Sequence, residues 1–290
     1  MEPQIKPYRS LLYIPGSRER ALVKATSLPA DGIIFDLEDA VAMDEKANAR
    51  GLVAETLERR DYGTRGLMVR VNGRGTGLEI DDLAAICAVG PEAILLPKVQ
   101  SGDDIRWLEA QLAQHPNCAE TAIWAMMESP LGVLNAQDIA AASPRLKGFV
   151  VGSNDLVKDL SARHVEDRAP IMTSLSLCLL AARAYGLVCV DGVYNAYKDV
   201  EGLRQHCVQG RDMGFDGKSL IHPAQLEVAN EVFAPSEAEI ELARRQIAAF
   251  EAAQAEGLGI AVLDGSIVEN LHVVTAKRLL ARAEAVGVIG

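Results

Sequence analysis

DGIIFDLEDAVAMDEKANARGLVAETLERR, from Asp31 to Arg60, reads as one strand followed by one helix. Gly32–Glu38 is apolar almost throughout rather than alternating, which suits a parallel strand covered on both faces. Over Asp44–Arg60 the period changes, and Ala49, Leu52, Val53, Thr56 and Leu57 fall on one helical stripe. The polar residues of the strand gather at its end, Asp36-Leu37-Glu38-Asp39, where the chain turns toward the helix.

The unit recurs. Apolar runs at Ser10–Pro15, Gly32–Glu38, Leu67–Asn72, Ala93–Val99, Ala122–Glu128, Gly148–Gly152, Leu187–Gly192 and Gly217–Ile221 make eight strands. Helical segments separate them. Asp103–Gln114, for example, carries Ile105, Leu108 and Leu112 on one side, with Ser101 as N-cap. Such alternation implies right-handed βαβ units, and eight strands close into a barrel or stay open as a doubly wound sheet. No G-x-G-x-x-G opens a helix after the first strand, which counts against the dinucleotide-binding form. The 290 residues accommodate one barrel of about 250 with an extension. The expected fold class is therefore α/β, a (β/α)8 TIM barrel over residues 1–232 with a C-terminal helical lid or oligomerisation extension over 233–290. In that tail two helices are expected. Ser236–Ala255 opens on a Ser236/Glu239 capping box and ends at Gly257, and Asn270–Val286 follows after a loop, Leu258–Glu269.

Hydrophobic residues make up 49%, enough for a sizeable core. The net charge of −11, with both signs interspersed, argues against nucleic acid or an anionic membrane as partner. No uncharged apolar stretch of about 18 residues appears, so no membrane-spanning helix is expected. The five cysteines are scattered, with no C-x-x-C, and MEPQIKPYRS lacks the apolar core of a secretion signal. A reducing, cytoplasmic setting is the expectation.

A barrel places its chemistry at the C-terminal ends of its strands. Those ends here read Asp36–Asp39, Arg70-Val71-Asn72, Pro97-Lys98, Glu128-Ser129-Pro130, Gly152-Ser153-Asn154-Asp155, Asp191 and His222-Pro223. One charge at a strand end is ordinarily a solvated loop residue or a helix cap. So many converging on one rim would repel unless a cation or a substrate balances them. Glu128 and Asp155 come from adjacent strands with no partnering His or Cys, which favours a hard, oxygen-loving ion such as Mg²⁺. Arg70 offers a fork for a carboxylate or carbonyl oxygen, or else pairs with the acidic rim. Together these groups suit a 2-oxo acid chelated by the metal. Lys98 is read as a salt bridge to Glu38 or Asp39, or as a Schiff-base lysine. His115, His164, His206 and His272 show no metal-ligand spacing, and His222 is read as bracing the rim.

Several stretches in order resemble the citrate lyase beta subunit-like group, the CoA-ester lyases within the HpcH/HpaI aldolase superfamily. They are RSLLYIPGSRERALVKA (Arg9–Ala25), DGIIFDLEDAVAMDEKANAR (Asp31–Arg50), VRVNGRGTG (Val69–Gly77), ILLPKV, MMESPLGVLN (Met126–Asn135), GSNDL (Gly152–Leu156) and GFDGKSLIHPAQ (Gly214–Gln225). The resemblance implies Mg²⁺ on Glu128 and Asp155, an oxo acid against Arg70, and Glu38 and Asp39 supporting the metal's waters. It implies CoA phosphates near Arg18, Arg20, Lys24 or Arg74, each of which is otherwise a solvated charge. It also implies homotrimers, or dimers of trimers, in which one subunit's C-terminal segment covers its neighbour's active site. Relatives place a catalytic Asp in a stretch resembling D-G-K-M-I-D-x-P-H. Here that stretch is Asp264–His272, with Glu269 at the acidic position, Ser266 for the Lys and Leu271 for the Pro. Glu269 is alternatively an acid favoured by the dipole of the last helix.

The activity this implies is Mg²⁺-dependent retro-Claisen cleavage of a 3-hydroxyacyl-CoA of the malyl-CoA or citramalyl-CoA type. The products would be a 2-oxo acid (glyoxylate or pyruvate) and an acyl-CoA, with Glu269 of the neighbouring subunit protonating the thioester enolate. The alternatives are a citrate lyase beta subunit acting on citryl-acyl carrier protein, an Mg²⁺-dependent aldolase of free 2-oxo acids, and a non-catalytic acyl-CoA sensor.

Overall fold

A computed structural model describes residues 6–289. Eight parallel strands close into a barrel in sequence order: β1 Ser10–Pro15, β2 Gly32–Asp36, β3 Gly66–Arg70, β4 Ala93–Leu96, β5 Ala122–Met127, β6 Leu146–Val151, β7 Val188–Asp191 and β8 Gly217–Leu220. The expected barrel is present. β8 returns to β1, with Ser10 opposite Lys218, so no strand edge is left open.

Several strands stop short of the expected bounds at the C-terminal side: β2 ends at Asp36, β3 at Arg70, β4 at Leu96 and β5 at Met127. The apolar run continues past the last ladder bond, so Glu38, Asn72, Lys98 and Glu128 sit on the first turn of the loops, above the barrel. Helices cover the outside. Lys46–Arg59 follows β2 and buries Ala49, Val53, Thr56 and Leu57, while Gly102–Leu112 buries Ile105, Leu108 and Leu112.

The barrel interior is a packed layer of Leu11, Ile34, Met68, Leu95, Trp124, Met126, Val150 and Val190. Trp124 is the largest, and Gly148 opposite it on β6 has no room for a side chain, because an added Cβ would sit 2.5 Å from the indole.

The contacts divide the chain into two compact units, Tyr8–Asn230 and a C-terminal one from Glu231 onward. In the latter, the helix Glu237–Ala255 starts on the expected Ser236/Glu239 capping box, with Ser236 N donating to Glu239 Oε2 at 2.8 Å. The segment expected to be a loop is a β-hairpin, β9 Ala261–Leu263 and β10 Ser266–Val268. The reason is local. Asp264 and Gly265 both adopt positive φ, 49° and 80°, the geometry of a two-residue type I′ turn, and the short strands on either side carry Val262, Ile267 and Val268. A further helix missed in the sequence, Leu226–Phe233, precedes this unit's long helix. The hairpin and the helix Asn270–Ala285 close a small core of Phe250, Ala253, Ala261, Val268 and Val273.

Candidate active site

Side chains alternate across a strand, so a residue two places beyond an interior one points into the barrel mouth. Leu11 is followed in this way by Tyr13, Ile34 by Asp36, Met68 by Arg70, and Met126 by Glu128. The mouth is a cavity of about 320 Å³ lined by Tyr13, Asp36, Asp39, Arg70, Glu128 and Asp155 with their neighbours.

Arg70 lies in register with Asp36 across β2 and β3. The guanidinium forks onto that carboxylate, Nε donating to Oδ1 at 2.7 Å and Nη2 to Oδ2 at 2.6 Å. Both residues are buried. Burial alone would weaken the cation, but Asp36 and Glu38 outweigh it and hold Arg70 above its ordinary range, so its charge is permanent. The guanidinium also lies over the Tyr13 ring, 4.8 Å from its centroid. Burial raises the Tyr13 phenol above its usual range and keeps it neutral.

Glu38 sits beneath the mouth. Its Oε1 lies 2.5 Å from Lys98 Nζ, and its Oε2 lies 3.0 Å from Arg70 Nη1. The second approach is electrostatic only, because Oε2 is buried without a hydrogen-bond partner. Burial raises the Glu38 carboxyl, while Arg70 and Lys98 pull it down. Lys98 is thus the expected salt bridge, with Asp39 more distant at 3.8 Å. Its cation is held raised against burial, chiefly by Glu38, which is the wrong direction for a Schiff-base nucleophile.

Glu128 is 2% exposed. Lys98 adopts positive φ, and its backbone N–H donates to Glu128 Oε1 at 2.7 Å. Burial, then the nearby Glu38 and Asp155 charges, push the Glu128 carboxyl up to about 7. Asp155 lies in the first turn of the helix Ser153–Asp159, with Oδ1 2.6 Å from Lys158 Nζ. Gly152 leaves the space that Glu128 occupies, since a Cβ there would collide with its carboxylate.

Among the described residues no group of three or more His, Cys, Asp or Glu is arranged to hold a metal by itself. Two carboxylates lining one cavity, one of them raised by burial and by its acidic neighbours, still fit Mg²⁺. That ion binds through one or two carboxylates and leaves its other positions to water and substrate oxygens. Glu38 Oε2, which faces Arg70 Nη1 but accepts no hydrogen bond, is a further buried carboxylate oxygen near them.

Two groups in this constellation escaped the sequence reading. Asp36 stood in the acidic strand end, and its inward parity with Ile34 was the available signal. Lys46 had none: it lies on the following helix, and its Nζ donates to Leu37 O and Glu38 O, both at 2.7 Å, and to Asn72 Oδ1 at 2.8 Å, so it pins the rim loop. Asp191 is not in the mouth lining but is bound to Lys218 and Arg168. His222 caps the turn Pro223–Gln225 and stacks on Tyr197, as bracing requires.

The other expected residues lie elsewhere. Arg18, Arg20 and Lys24 are exposed at and on the helix Glu19–Ala25. Arg74 pairs with Asp104 at 2.9 Å and lies over Trp107. None of these four lines the mouth cavity. Glu269 is an exposed residue of the C-terminal unit, at the N-cap of the last helix, where its backbone N–H donates to His272 Nδ1 at 2.9 Å.

Comparison with known proteins bears on this geometry. The sequence profile of the HpcH/HpaI aldolase/citrate lyase family matches residues 9–223. The chain is 59% identical to a (3S)-malyl-CoA thioesterase of Cereibacter sphaeroides, over 100% of this chain and 99% of that protein. It is 34% identical to the citrate lyase subunit beta of Escherichia coli K12, over 97% of this chain and 94% of the relative. Among solved structures, CitE of Mycobacterium tuberculosis in complex with magnesium, acetoacetate and coenzyme A superposes with a TM-score of 0.79. That match has 30% identity and covers 97% of this chain and 100% of that one. The chain therefore belongs to the HpcH/HpaI aldolase/citrate lyase family and is an enzyme of this carbon–carbon lyase family.

Proposed function

We propose that this protein is an Mg²⁺-dependent enzyme acting on malyl-CoA, or a close 3-hydroxyacyl-CoA with a terminal carboxylate, and that it hydrolyses the thioester. The observation that supports hydrolysis is the 59% identity, end to end, with (3S)-malyl-CoA thioesterases. The mouth chemistry agrees with the substrate: a permanent cation, Arg70, lines the same cavity as the Glu128 and Asp155 carboxylates, and Glu128 is buried with no cation paired to it among the described residues. Glu128 and Asp155 would hold the metal, with Glu38 and Asp39 supporting it from outside. When bound there, Mg²⁺ would supply Lewis acidity and the charge that lets neighbouring acids stay ionised together. Arg70 would bind the terminal carboxylate, and Asp36, by fixing two of its nitrogens, would orient the fork. Arg18, Lys24 and Arg74 would meet the CoA phosphates outside the mouth.

A second reading is carbon–carbon cleavage. It is supported by identities of 34–36% to citrate lyase beta subunits over nearly the whole chain. In that reaction the hydroxyl of the 3-hydroxyacyl-CoA loses its proton, the C–C bond breaks and a 2-oxo acid leaves. Glu269 of a neighbouring subunit would protonate the thioester enolate. This requires a trimer, or a pair of trimers, whose C-terminal segment covers the next active site. The hairpin carries Val262 and Ile267 paired and exposed on one face, with Leu271 beyond, which suits a partner surface.

One assay separates the readings. Malyl-CoA and citramalyl-CoA are supplied separately, each with and without Mg²⁺, and free thiol, the free hydroxy acid (malate or citramalate) and the 2-oxo acid (glyoxylate or pyruvate) are measured. Metal-dependent thiol and malate in equal amounts are expected. Glyoxylate with acetyl-CoA and no thiol would replace hydrolysis by cleavage. If citramalyl-CoA alone reacts, the acyl assignment changes. Silence on both would shift the reading to citryl-acyl carrier protein or a free 2-oxo acid.

A further inference from the structure

Beside the mouth lies a larger cavity, about 530 Å³, walled by the loops after β6 and β7. Ser153, Asn154 and Val193 line both, so the two spaces share a wall. Nothing in the proposed reaction uses it.

Arg168 lines it, and behind Arg168 lies a buried charge cluster. Asp191 and Lys218 are fully buried, with Lys218 Nζ 2.8 Å from Asp191 Oδ2. Arg168, 6% exposed, places Nη1 2.7 Å from Oδ1 and 2.8 Å from Oδ2 of the same carboxylate. Two cations thus share one carboxylate, leaving one positive charge in excess inside the protein. Arg168 Nε donates to Gln209 Oε1 at 2.6 Å, but its Nη2 is shut from solvent and makes no hydrogen bond. A buried guanidinium with an unfilled donor and no full counter-charge is costly. His206, also in the wall, registers the same field. Burial and then Lys218 and Arg168 press its imidazole down to about 4, and its Nδ1 is a second unpartnered atom.

The opening has its own cation. Arg163 is an exposed lining residue with no ion pair to an acid among the described residues. Of the acids in the lining, Asp199 is committed, accepting from Tyr194 OH at 2.6 Å and from Gly202 N–H at 3.0 Å. Glu166 is exposed.

We infer that this cavity is a second anion subsite, distinct from Arg70, which takes a phosphate or carboxylate group between Arg163 and Arg168. A ligand oxygen placed there would neutralise the excess charge and, by a small side-chain shift, fill the Arg168 donor. Two sources share this chemistry: a CoA phosphate, held here instead of by Arg18, Lys24 and Arg74, and a free small anion.

The test is calorimetric titration of the full chain with inorganic phosphate, without Mg²⁺, in the wild type and in Arg163→Ala and Arg168→Lys. Arg163 is exposed, so its variant keeps the fold. The expected result is phosphate binding that weakens about tenfold in Arg163→Ala, the loss of one charge-assisted contact. Repeating the titration with saturating CoA assigns the source. Competition identifies a CoA phosphate, whereas undiminished phosphate binding identifies a free anion. No phosphate binding at millimolar concentration, or affinity unchanged in both variants, would overturn the subsite. Because the readout is binding, failure of the malyl-CoA assay leaves it standing, and failure here leaves the reaction untouched.

Discussion

Glu128 is under opposing demands. A carboxylate buried to 98% with two acids for neighbours prefers to be protonated, yet only its ionised form can hold a cation. Because its folded pKa is raised from 4.5 to about 7, its contribution to stability is fully present below 4.5 and is lost as pH rises through 7. The metal-free protein should therefore lose about 3 kcal/mol between those limits from this residue, seen as a falling thermal midpoint. Mg²⁺ should restore it, and its apparent affinity should drop roughly tenfold per pH unit below 7, because binding must first displace a proton. Glu128→Gln keeps an acceptor for the Lys98 N–H and removes the charge. We expect the metal-free variant to melt a few degrees higher at pH 8, with no response to Mg²⁺. A variant that still gained stability from Mg²⁺ would move the metal site elsewhere. Arg70→Lys should behave differently. It preserves the cation but not the fork onto Asp36, so stability should fall by about 2 kcal/mol and kcat/KM by tenfold or more.

The site is built by elements ending at the right place. β2, β3 and β5 stop one or two residues before or at the groups that line the mouth, so those groups stand on short, fixed turns. The approach of β5 and β6 is close enough that position 152 has no space beside Glu128. Gly152→Ala should leave the far-ultraviolet spectrum native and displace the Glu128 carboxylate, so that Mg²⁺ affinity drops by tenfold or more. Unchanged affinity would show that the neighbour yields. In the C-terminal unit the hairpin depends on two positive φ angles, and only Gly265 meets its own without strain. Gly265→Val should destabilise that unit by about 1–2 kcal/mol, read as faster amide exchange over 261–268.

For the whole molecule, the proposed reactions differ in what they ask of a second subunit. If Glu269 serves a neighbouring mouth, Glu128→Gln and Glu269→Gln chains should each be inactive, and mixing them after partial denaturation and refolding should recover a fraction of the activity. If hydrolysis proceeds within one chain, Glu269→Gln should remain active and mixing should change nothing.

The barrel was legible in the chain because strands covered on both faces need continuous apolar runs, and eight of them alternate with striped helices. The acidic rim was legible because acidic residues interrupt those runs only toward their C-terminal ends, while Lys218 and Ser219 inside the last run stood out from the pattern. The hairpin was overlooked because its strands are three residues each and its signal is the single dipeptide Asp264-Gly265. The pairing of neighbouring strands decided what spacing could not: that Asp36 takes the fork of Arg70 across β2 and β3, that Lys46 reaches back to the rim loop, and that Asp191 on β7 serves Lys218 on β8 and Arg168. The side-chain pairs among these span 23 to 34 residues of sequence. Which acid meets which cation is set by strand register, a quantity that exists only once neighbouring strands have paired.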